Sequence, residues 1–348
     1  MEFARDQWYV GAFAHEVGRE MLARTVLGEP IVLYRTGDGR PIGLADRCVH
    51  RRFPLSASRL DGDNVVCGYH GFTYDSGGTC VAVPGQQRIP RAAKVPGYPV
   101  VEQDSFVWVW IGEPELADPA DIPRAPWLDD PAWTVVRGMA PLSARYDLLV
   151  DNLLDLSHET YLHGGYIGTP EVAATPTTTS VDEEAGVVRV SRRMSDVECP
   201  AFYARSTGIQ GNIDRWQDIE YHAPCLYLLH SRIAPAGIVV EGDDSAASHA
   251  EIVYAITPST ATTTYDFWAV ARDFARDDSS VSDFLADNQQ AVVMQDVVAL
   301  NLLETVIATE PEGYRELSID IDTGGLAARR ILKRLAAGPV RVPAAVQG

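Results

Sequence analysis

The sequence lacks any surplus of positive charge. Its 348 residues include 29 Lys and Arg against 48 Asp and Glu, a net charge of −19. Binding to nucleic-acid phosphates needs a basic surface, so this balance argues against nucleic acid as a partner. Long apolar runs are scarce as well, since the strongly apolar stretch Phe106–Ile111 is strand-sized and far short of a membrane span. Residues 1–6 include acids and no apolar core of the signal-peptide kind, so we expect a cytoplasmic protein with no membrane partner.

Cysteine is present, but not in a pattern typical of disulfides. The five cysteines are odd in number, widely spaced and found in a chain without a recognisable secretion signal. They therefore point to metal binding rather than to a disulfide framework. The chain also lacks the GxGxxG and P-loop fingerprints, so a nicotinamide cofactor would have to bind to another protein.

The positions of turn residues and prolines predict two domains. The length of the chain agrees, because 348 residues are too many for one ordinary core. Residues 1–115 read as β-rich, because short apolar runs alternate with Gly, Asp and Ser turn signals. Five prolines between 112 and 131 mark a linker, so residues 116–348 would form the second domain. There we expect a helix at 150–163, followed by strands up to about residue 272. Two more helices are predicted at 279–309 and at 326–335.

The first chemistry-bearing pattern combines cysteine and histidine twice. Cys48 and His50 form a C-x-H pair, and after sixteen intervening residues Cys67 and His70 form a C-x-x-H pair. Such loops can give one iron of a [2Fe–2S] cluster two thiolates and the other iron two imidazoles, the Rieske arrangement. A Cys₂His₂ zinc site is the alternative, but the C-x-H pair is too short for the usual finger spacing. We expect Cys80 to be a small packed residue rather than a further ligand.

A second pattern follows the predicted linker. Helical spacing places Asp151, Asp155 and His158 on one side of a helix, whereas His158 and His163 are separated by about 140° around an ideal helix. Both histidines can bind one metal only if the helix is distorted or ends there, and Gly164–Gly165 supplies such an end. Beside a Rieske motif, two histidines predict the facial triad of oxygen-activating Fe(II), which needs one carboxylate more.

The third ligand should be a carboxylate from a distant segment. On the helix predicted at 279–309, Asp296 falls on an inward stripe with Val292, Val293, Ala299, Leu300 and Leu303. A buried carboxylate without a cation is costly, so iron is a natural partner for Asp296. The alternative is a pair with an arginine or another buried polar group.

These motifs, in this order and at this separation, resemble those of the Rieske oxygenase family over nearly the whole chain. The resemblance is strongest with the aromatic O-demethylase branch, of the vanillate demethylase oxygenase type, with dicamba monooxygenase as a cousin. Besides the metal motifs, it is carried by the stretches Trp8–Gly11, Val83–Gln86, Asn152–His163, Gly211–Gln217 and Gln295–Val298.

The resemblance implies an α+β protein: a β-rich N-terminal Rieske [2Fe–2S] domain and a C-terminal α+β catalytic domain with an antiparallel sheet and flanking helices. It implies four cluster ligands and three iron ligands, namely Cys48, His50, Cys67, His70 and His158, His163, Asp296. Asp155 would bridge His70 of one subunit to His158 of its neighbour in a homotrimer, since a carboxylate commonly accepts the ring N–H of a metal-bound histidine. Asn152 would lie near the iron without binding it. A separate flavin and iron–sulfur reductase would pass on electrons from NAD(P)H.

The reaction that the resemblance implies is O₂-dependent O-demethylation of an aromatic methyl ether, such as a vanillate-like acid, to a phenol and formaldehyde. The expected substrate pocket departs from the dicamba branch, because Leu229, Tyr254 and Asp287 stand where that branch has Asn, His and Trp. Arg232 and His230, on a predicted strand, could receive a substrate carboxylate, since arginine binds carboxylates with two hydrogen bonds. An exposed strand arginine is the alternative.

Other reactions stay open at this point. N-demethylation, methyl hydroxylation and ring hydroxylation share the metal motifs, so only the pocket decides among them. A non-catalytic electron-transfer or redox-sensing protein is an alternative from another class, and the complete set of His158, His163 and Asp296 argues against it. A zinc hydrolase using the two histidines lacks a nearby general-base pattern.

Overall fold

The computed structural model describes residues 2–239, 244–311 and 313–338. In the first part of the chain, short strands are separated by turns, as the sequence predicts. These strands are β1 (Gln7–Phe13), β2 (Leu22–Val26), β3 (Glu29–Arg35), β4 (Pro41–Ala45), β5 (Arg59–Asp61), β6 (Asn64–Val66), β7 (Thr73–Tyr74), β8 (Cys80–Ala82), β9 (Gly97–Tyr98), β10 (Val100–Gln103) and β11 (Phe106–Ile111).

The N-terminal strands form three antiparallel sheets, in the orders β2-β3-β4-β9, β5-β6-β7-β8 and β1-β11-β10. The loops after β4 and β6 carry the two Cys/His pairs. At the end of the second loop, Gly71 has a φ of 70°, and a Cβ atom there would lie 2.9 Å from Pro84 Cγ. A side chain at this position would therefore disturb the turn that holds Cys67 and His70.

The proline-rich stretch between the two groups of strands folds into three short 3₁₀ turns, Pro114–Leu116, Pro119–Asp121 and Pro126–Leu128. Each turn begins with its proline, whose fixed φ suits the first helical position and whose missing N–H is not needed there. The predicted domain boundary, between residues 115 and 116, falls in the first of these turns and stays a prediction.

The second part of the chain combines a large sheet with helices. Its strands are β12 (Thr134–Leu142), β13 (Thr178–Asp182), β14 (Val187–Glu198), β15 (Asn212–His222), β16 (Leu226–Pro235), β17 (Ser248–Thr260) and β18 (Thr263–Arg272). Its helices are α1 (Tyr146–Leu154), α2 (Glu159–Leu162), α3 (Pro170–Ala174), α4 (Ala201–Thr207), α5 (Ser279–Ile307) and α6 (Thr323–Ala337). The sheet is antiparallel throughout, in the order β12-β18-β17-β16-β15-β14-β13, which confirms the predicted α+β class.

The large sheet is buried on both faces, and side chains alternate between them. In β16, Leu226 and Leu228 pack with β1 and β11 of the N-terminal part. Leu229 and Ile233 of the same strand pack with α1, α5 and α6 on the opposite face. The position of a residue along its strand therefore decides whether it can reach the helices that carry the predicted iron ligands.

Helix α5 begins at Ser279, as predicted, because the Asp278 side chain accepts hydrogen bonds from two backbone N–H groups of the first turn. Its buried row includes Val292, Val293, Asp296 and Leu300, as expected from the helical period. Leu303 departs from the prediction and is 49% exposed. The buried row continues through Glu304 instead, which pairs with Arg145 at 2.7 Å.

By length and composition alone, α5 could also cross a membrane. The apolar run Phe106–Ile111, from which we expected no membrane span, lies in a different part of the sequence from α5. One such helix is weak evidence for a membrane span. In the structure α5 packs against β12, with the Asp296 carboxylate in its buried row.

Candidate metal centres and pocket

The N-terminal loops bring the four predicted cluster residues together as two pairs. Cys48 and Cys67 are each 2% exposed, and burial, followed by contact with the Cys48 thiol, raises the pKa of Cys67. The exposed rings of His50 and His70 lie with their centroids 4.5 Å apart. Phe72 stacks on His50 at 4.9 Å. Two thiols inside and two imidazoles at the surface match the ligand division of a Rieske cluster.

A single zinc ion would need its ligand atoms around one point. Among the residues that the structure describes, only His158, His163 and Asp296 bring three metal-ligating atoms within 4.8 Å of one another. The separate thiol and imidazole pairs therefore fit a cluster of two irons better than one zinc ion. Cys80 is 4% exposed and donates its S–H to the carbonyl of Ala82 at 3.4 Å, which agrees with a packed residue.

The segment with the predicted iron ligands is broken in the way that two histidines five residues apart require. α1 ends at Leu154, and Asp155 leaves the helical region with a φ of −122° and a ψ of 90°. Its carboxylate accepts a hydrogen bond from the Ser157 N–H at 2.8 Å and so caps a 3₁₀ turn that ends at His158. α2 then ends before His163. The two imidazole rings lie with their centroids 5.1 Å apart.

Asp296 of α5 completes this group. Its Oδ1 lies 3.5 Å from His158 Nε2 and 3.3 Å from His163 Nε2. The other ring nitrogens are engaged elsewhere, His158 Nδ1 with the Asp155 carbonyl at 2.6 Å and His163 Nδ1 with Gln295 Oε1 at 2.7 Å. Because each Nδ1 donates to an oxygen, each Nε2 presents its lone pair to the space beside Asp296. This donor set fits the Fe(II) facial triad.

Two further predicted residues lie at the same place. Asn152 donates from Nδ2 to Asp296 Oδ1 at 3.1 Å and so holds the carboxylate in position. Within one chain, Asp155 contacts His158 through its backbone carbonyl, and its carboxylate accepts from the Ser157 N–H. The role of Asp155 as a bridge between subunits stays a prediction.

A pocket opens beside the triad. Its space, including the open mouth, is about 770 Å³. The apolar and aromatic part of its wall includes Leu153, Leu156, Ile167, Phe202, Tyr203, Tyr227, Leu229, Ile233, Ile252, Tyr254 and Val270. Tyr254 and Leu229 line this pocket, whereas Asp287 is exposed on α5 and outside it.

The other two predicted substrate residues do not reach this pocket. Odd-numbered residues of β16 face the pocket, so His230 and Arg232 point to the opposite side of the sheet. There His230 Nδ1 lies 2.5 Å from Glu251 Oε2, and Arg232 pairs with Asp244 at 2.8 Å and with Asp218. The prediction that Arg232 or His230 receives a substrate carboxylate is therefore wrong, because the strand turns both side chains away.

A buried polar network next to the triad was missed by the sequence analysis. Glu159 is 3% exposed and accepts hydrogen bonds from Arg215 Nη2 at 2.9 Å and from Gln217 Nε2 at 3.0 Å. Arg215 also donates to the Ile167 carbonyl at 3.1 Å, and its guanidinium carbon lies 4.8 Å from the ring centroid of Tyr203. Strand alternation could have paired Arg215 with Gln217, but no local pattern indicates Glu159 as their partner.

Replacing Arg215 with methionine should lower the free energy of unfolding by about 3–5 kcal/mol, because Glu159 would keep a buried and unpaired charge. Urea denaturation measures the loss. Arg189→Met is the matched control, since Arg189 pairs with Glu220 at 2.9 Å across β14 and β15 at the surface. A surface pair is worth about 0–1 kcal/mol, so equal losses in the two variants would contradict the argument.

Comparison with known proteins gives two family matches. Residues 7–99 match the Rieske [2Fe–2S] domain, and residues 142–338 match the vanillate O-demethylase oxygenase C-terminal domain. The chain is 34% identical over 343 residues to the vanillate O-demethylase oxygenase subunit of a Pseudomonas species, which covers 96% of this chain and 95% of the relative.

Two other relatives carry different substrate names. The toluene-4-sulfonate monooxygenase iron–sulfur subunit of Comamonas testosteroni is 33% identical over 340 residues, with 96% of this chain and 97% of the relative covered. The crystal structure of dicamba monooxygenase bound to dicamba is 31% identical and superimposes with a TM-score of 0.89 over 97% of this chain and 98% of that one. Relatives with different substrates share the fold, so the pocket has to decide the substrate.

Proposed function

Since the chain belongs to the Rieske oxygenases with a vanillate O-demethylase-type catalytic domain, we propose that it demethylates an aryl methyl ether. The enzyme class is that of the Rieske non-haem iron monooxygenases, in which an oxygenase component works with a separate reductase. The observation that carries the proposal is the group of His158, His163 and Asp296, which lies at the wall of a pocket lined by aromatic and apolar side chains.

Two metal centres belong to this chemistry, a Rieske [2Fe–2S] cluster and a mononuclear iron. Their ligands would be Cys48, His50, Cys67 and His70 for the cluster, and His158, His163 and Asp296 for the iron. When bound, these metals supply electron transfer and O₂ activation. The surrounding residues fix the ligands, because Gln295 and the Asp155 carbonyl set the tautomers of the histidines and Asn152 orients Asp296.

The reaction inserts one oxygen atom of O₂ into a C–H bond of the methyl group, and the other oxygen atom becomes water. NAD(P)H supplies the two electrons through the reductase, and the solvent supplies the protons. The resulting hemiacetal falls apart to a phenol and formaldehyde. Leu153, Leu156, Ile252 and Val270 give the pocket apolar walls that exclude water from the methyl group.

The direct test combines the purified protein with a reductase, NADH, O₂ and a panel of aryl methyl ethers. Formaldehyde and phenol should form in equal amounts, and the protein should contain about three irons and two labile sulfides per chain. A hydroxylated ring or methyl group without formaldehyde would favour another Rieske oxygenase reaction. About two irons and no turnover would favour a non-catalytic electron-transfer protein.

We further propose a homotrimer in which the Asp155 carboxylate connects the cluster of one subunit to the iron of the next. Asp155→Asn should lower formaldehyde release about 10–100-fold while iron and sulfide stay unchanged. Because the asparagine side-chain oxygen can still accept from Ser157, the helix break should survive the change. Sedimentation should give three times the chain mass of 38.0 kDa. Full activity of Asp155→Asn would contradict the bridge between subunits, and a monomer would contradict the trimer. The cytoplasmic location of the protein is a prediction from the sequence alone.

A further inference from the structure

The pocket beside the triad contains one permanent cation, and this cation is already neutralised. Among the described residues that line the pocket, Arg215 is the single Arg or Lys side chain, and it pairs with Glu159 at 2.9 Å. Its Nη1 donates to the Ile167 carbonyl, and Nε has no partner among the described residues. The Glu159 carboxylate therefore already balances the guanidinium charge, which is not free to pair with a carboxylate of a ligand.

A carboxylate on the substrate would therefore enter a buried space without a free counter-charge. Burial of an unpaired carboxylate is costly, and Glu159 and Asp296 at the pocket wall would repel it. An iron held by the triad would carry a single net positive charge together with Asp296. A carboxylate paired with that iron would occupy the open coordination positions on which the chemistry depends.

The hydrogen-bond donors of the pocket wall include the hydroxyl of Tyr227. This side chain is 1% exposed and lines the pocket, and its buried hydroxyl has no hydrogen-bond partner among the described residues. Burial, followed by the charges of Glu159 and Asp296, raises the pKa of Tyr227 well above its usual value, so the hydroxyl keeps its proton. The neighbouring Tyr254 differs, because its hydroxyl already accepts from Gln289 Nε2 at 2.8 Å. A buried hydroxyl without a partner costs stability until a ligand supplies an acceptor.

We propose that this pocket selects an uncharged aryl methyl ether and that the Tyr227 hydroxyl donates a hydrogen bond to a neutral oxygen of the ligand. The inference rests on the proposed O-demethylase function. It replaces the vanillate-like acid expected from the sequence with a neutral ether. Guaiacol and vanillate are the matched probes, because the two molecules differ only by the carboxylate of vanillate.

The test is a calorimetric titration of each probe into iron-loaded, oxidised protein without O₂ or NADH, so that no turnover occurs. Guaiacol should bind at least about tenfold more tightly than vanillate. Tyr227→Phe removes one oxygen atom and should weaken guaiacol binding about tenfold. It should not lower the thermal unfolding midpoint, because the hydroxyl that it removes has no partner in the part of the chain that the structure describes.

Tyr221→Phe is the matched control. Tyr221 is buried as well, but its hydroxyl donates to the Pro224 carbonyl at 2.6 Å and it does not line the pocket. This variant should show the opposite pattern, a lower unfolding midpoint and a guaiacol affinity within about twofold of the wild type.

Each outcome decides one point. Vanillate binding as tightly as guaiacol, or neither probe binding, would overturn the uncharged-substrate proposal. Unchanged guaiacol affinity in Tyr227→Phe would overturn the role of that hydroxyl. Formaldehyde release decides separately whether the protein catalyses O-demethylation. Release from acidic ethers alone would support O-demethylation and refute the preference for an uncharged ether. Release from no ether would refute O-demethylation, whereas tighter binding of guaiacol than of vanillate would still support an uncharged ligand.

Discussion

Alanine in place of Asp296 should leave the protein with about two irons per chain instead of about three and should abolish formaldehyde release. His158 and His163 would remain as two neutral ligands without the carboxylate that matches the charge of Fe(II). The labile sulfide content and the Rieske EPR signal should not change, because the cluster residues belong to a different core. Iron analysis, sulfide analysis and EPR spectroscopy measure the three quantities.

The matched control for this variant is Asp287→Ala, since Asp287 lies on the same helix but is exposed and outside the pocket. It should keep about three irons and full activity. An Asp296→Ala protein that keeps about three irons and turns over would refute the assignment.

The two metal centres could be predicted from the sequence because the residues proposed as their ligands follow local rules. Each Cys/His pair sits within one short loop, so spacing alone groups Cys48 with His50 and Cys67 with His70. Asp296 stood out because it interrupts the apolar row of a helix, and the structure buries that row. A distortion or an end of the helix followed from geometry, since two histidines five residues apart cannot share a metal on a regular helix. The sequence placed that end at Gly164–Gly165 and did not indicate the break at Asp155.

Pairings between distant segments could not be predicted in the same way. Glu159 and Arg215 are 56 residues apart, and His163 and Gln295 are 132 residues apart. Each pair depends on how helices are placed against the sheet, and no single-sequence pattern records that placement. Gln295 is adjacent to Asp296, but its role becomes visible only when α5 lies beside the helix break.

Arg232 and His230 show a second limit, which concerns the two sides of a strand. In a sheet with one wet face, apolar and polar residues alternate, and the pattern shows which side is buried. β16 is buried on both faces, with Leu228 on one side and Leu229 on the other. The run of apolar residues therefore gave no sign of which side faces the pocket, and the two polar residues were assigned to the wrong one.

Alanine in place of Cys67 should remove the cluster. Labile sulfide should fall to near zero, iron should fall from about three to about one per chain, and the Rieske EPR signal should disappear. Formaldehyde release should stop as well, because electrons would have no route from the reductase to the second site. Ligand binding in the pocket should persist, since the core around Cys67 and the core around the triad share no residue.

Cys80→Ala separates loss of a ligand from loss of packing in the same core. Cys80 is as well buried as Cys67, but its thiol meets only the carbonyl of Ala82 among the hydrogen-bond partners found in the described chain. Its replacement should therefore keep the sulfide, the EPR signal and formaldehyde release, with a small loss of stability from the missing sulfur atom. If Cys80→Ala lost the cluster and Cys67→Ala kept it, the ligand assignment would have to be exchanged between the two cysteines. Loss in both variants, with unchanged ligand binding, would instead mean that the cluster depends on the packing of this core as much as on its ligands.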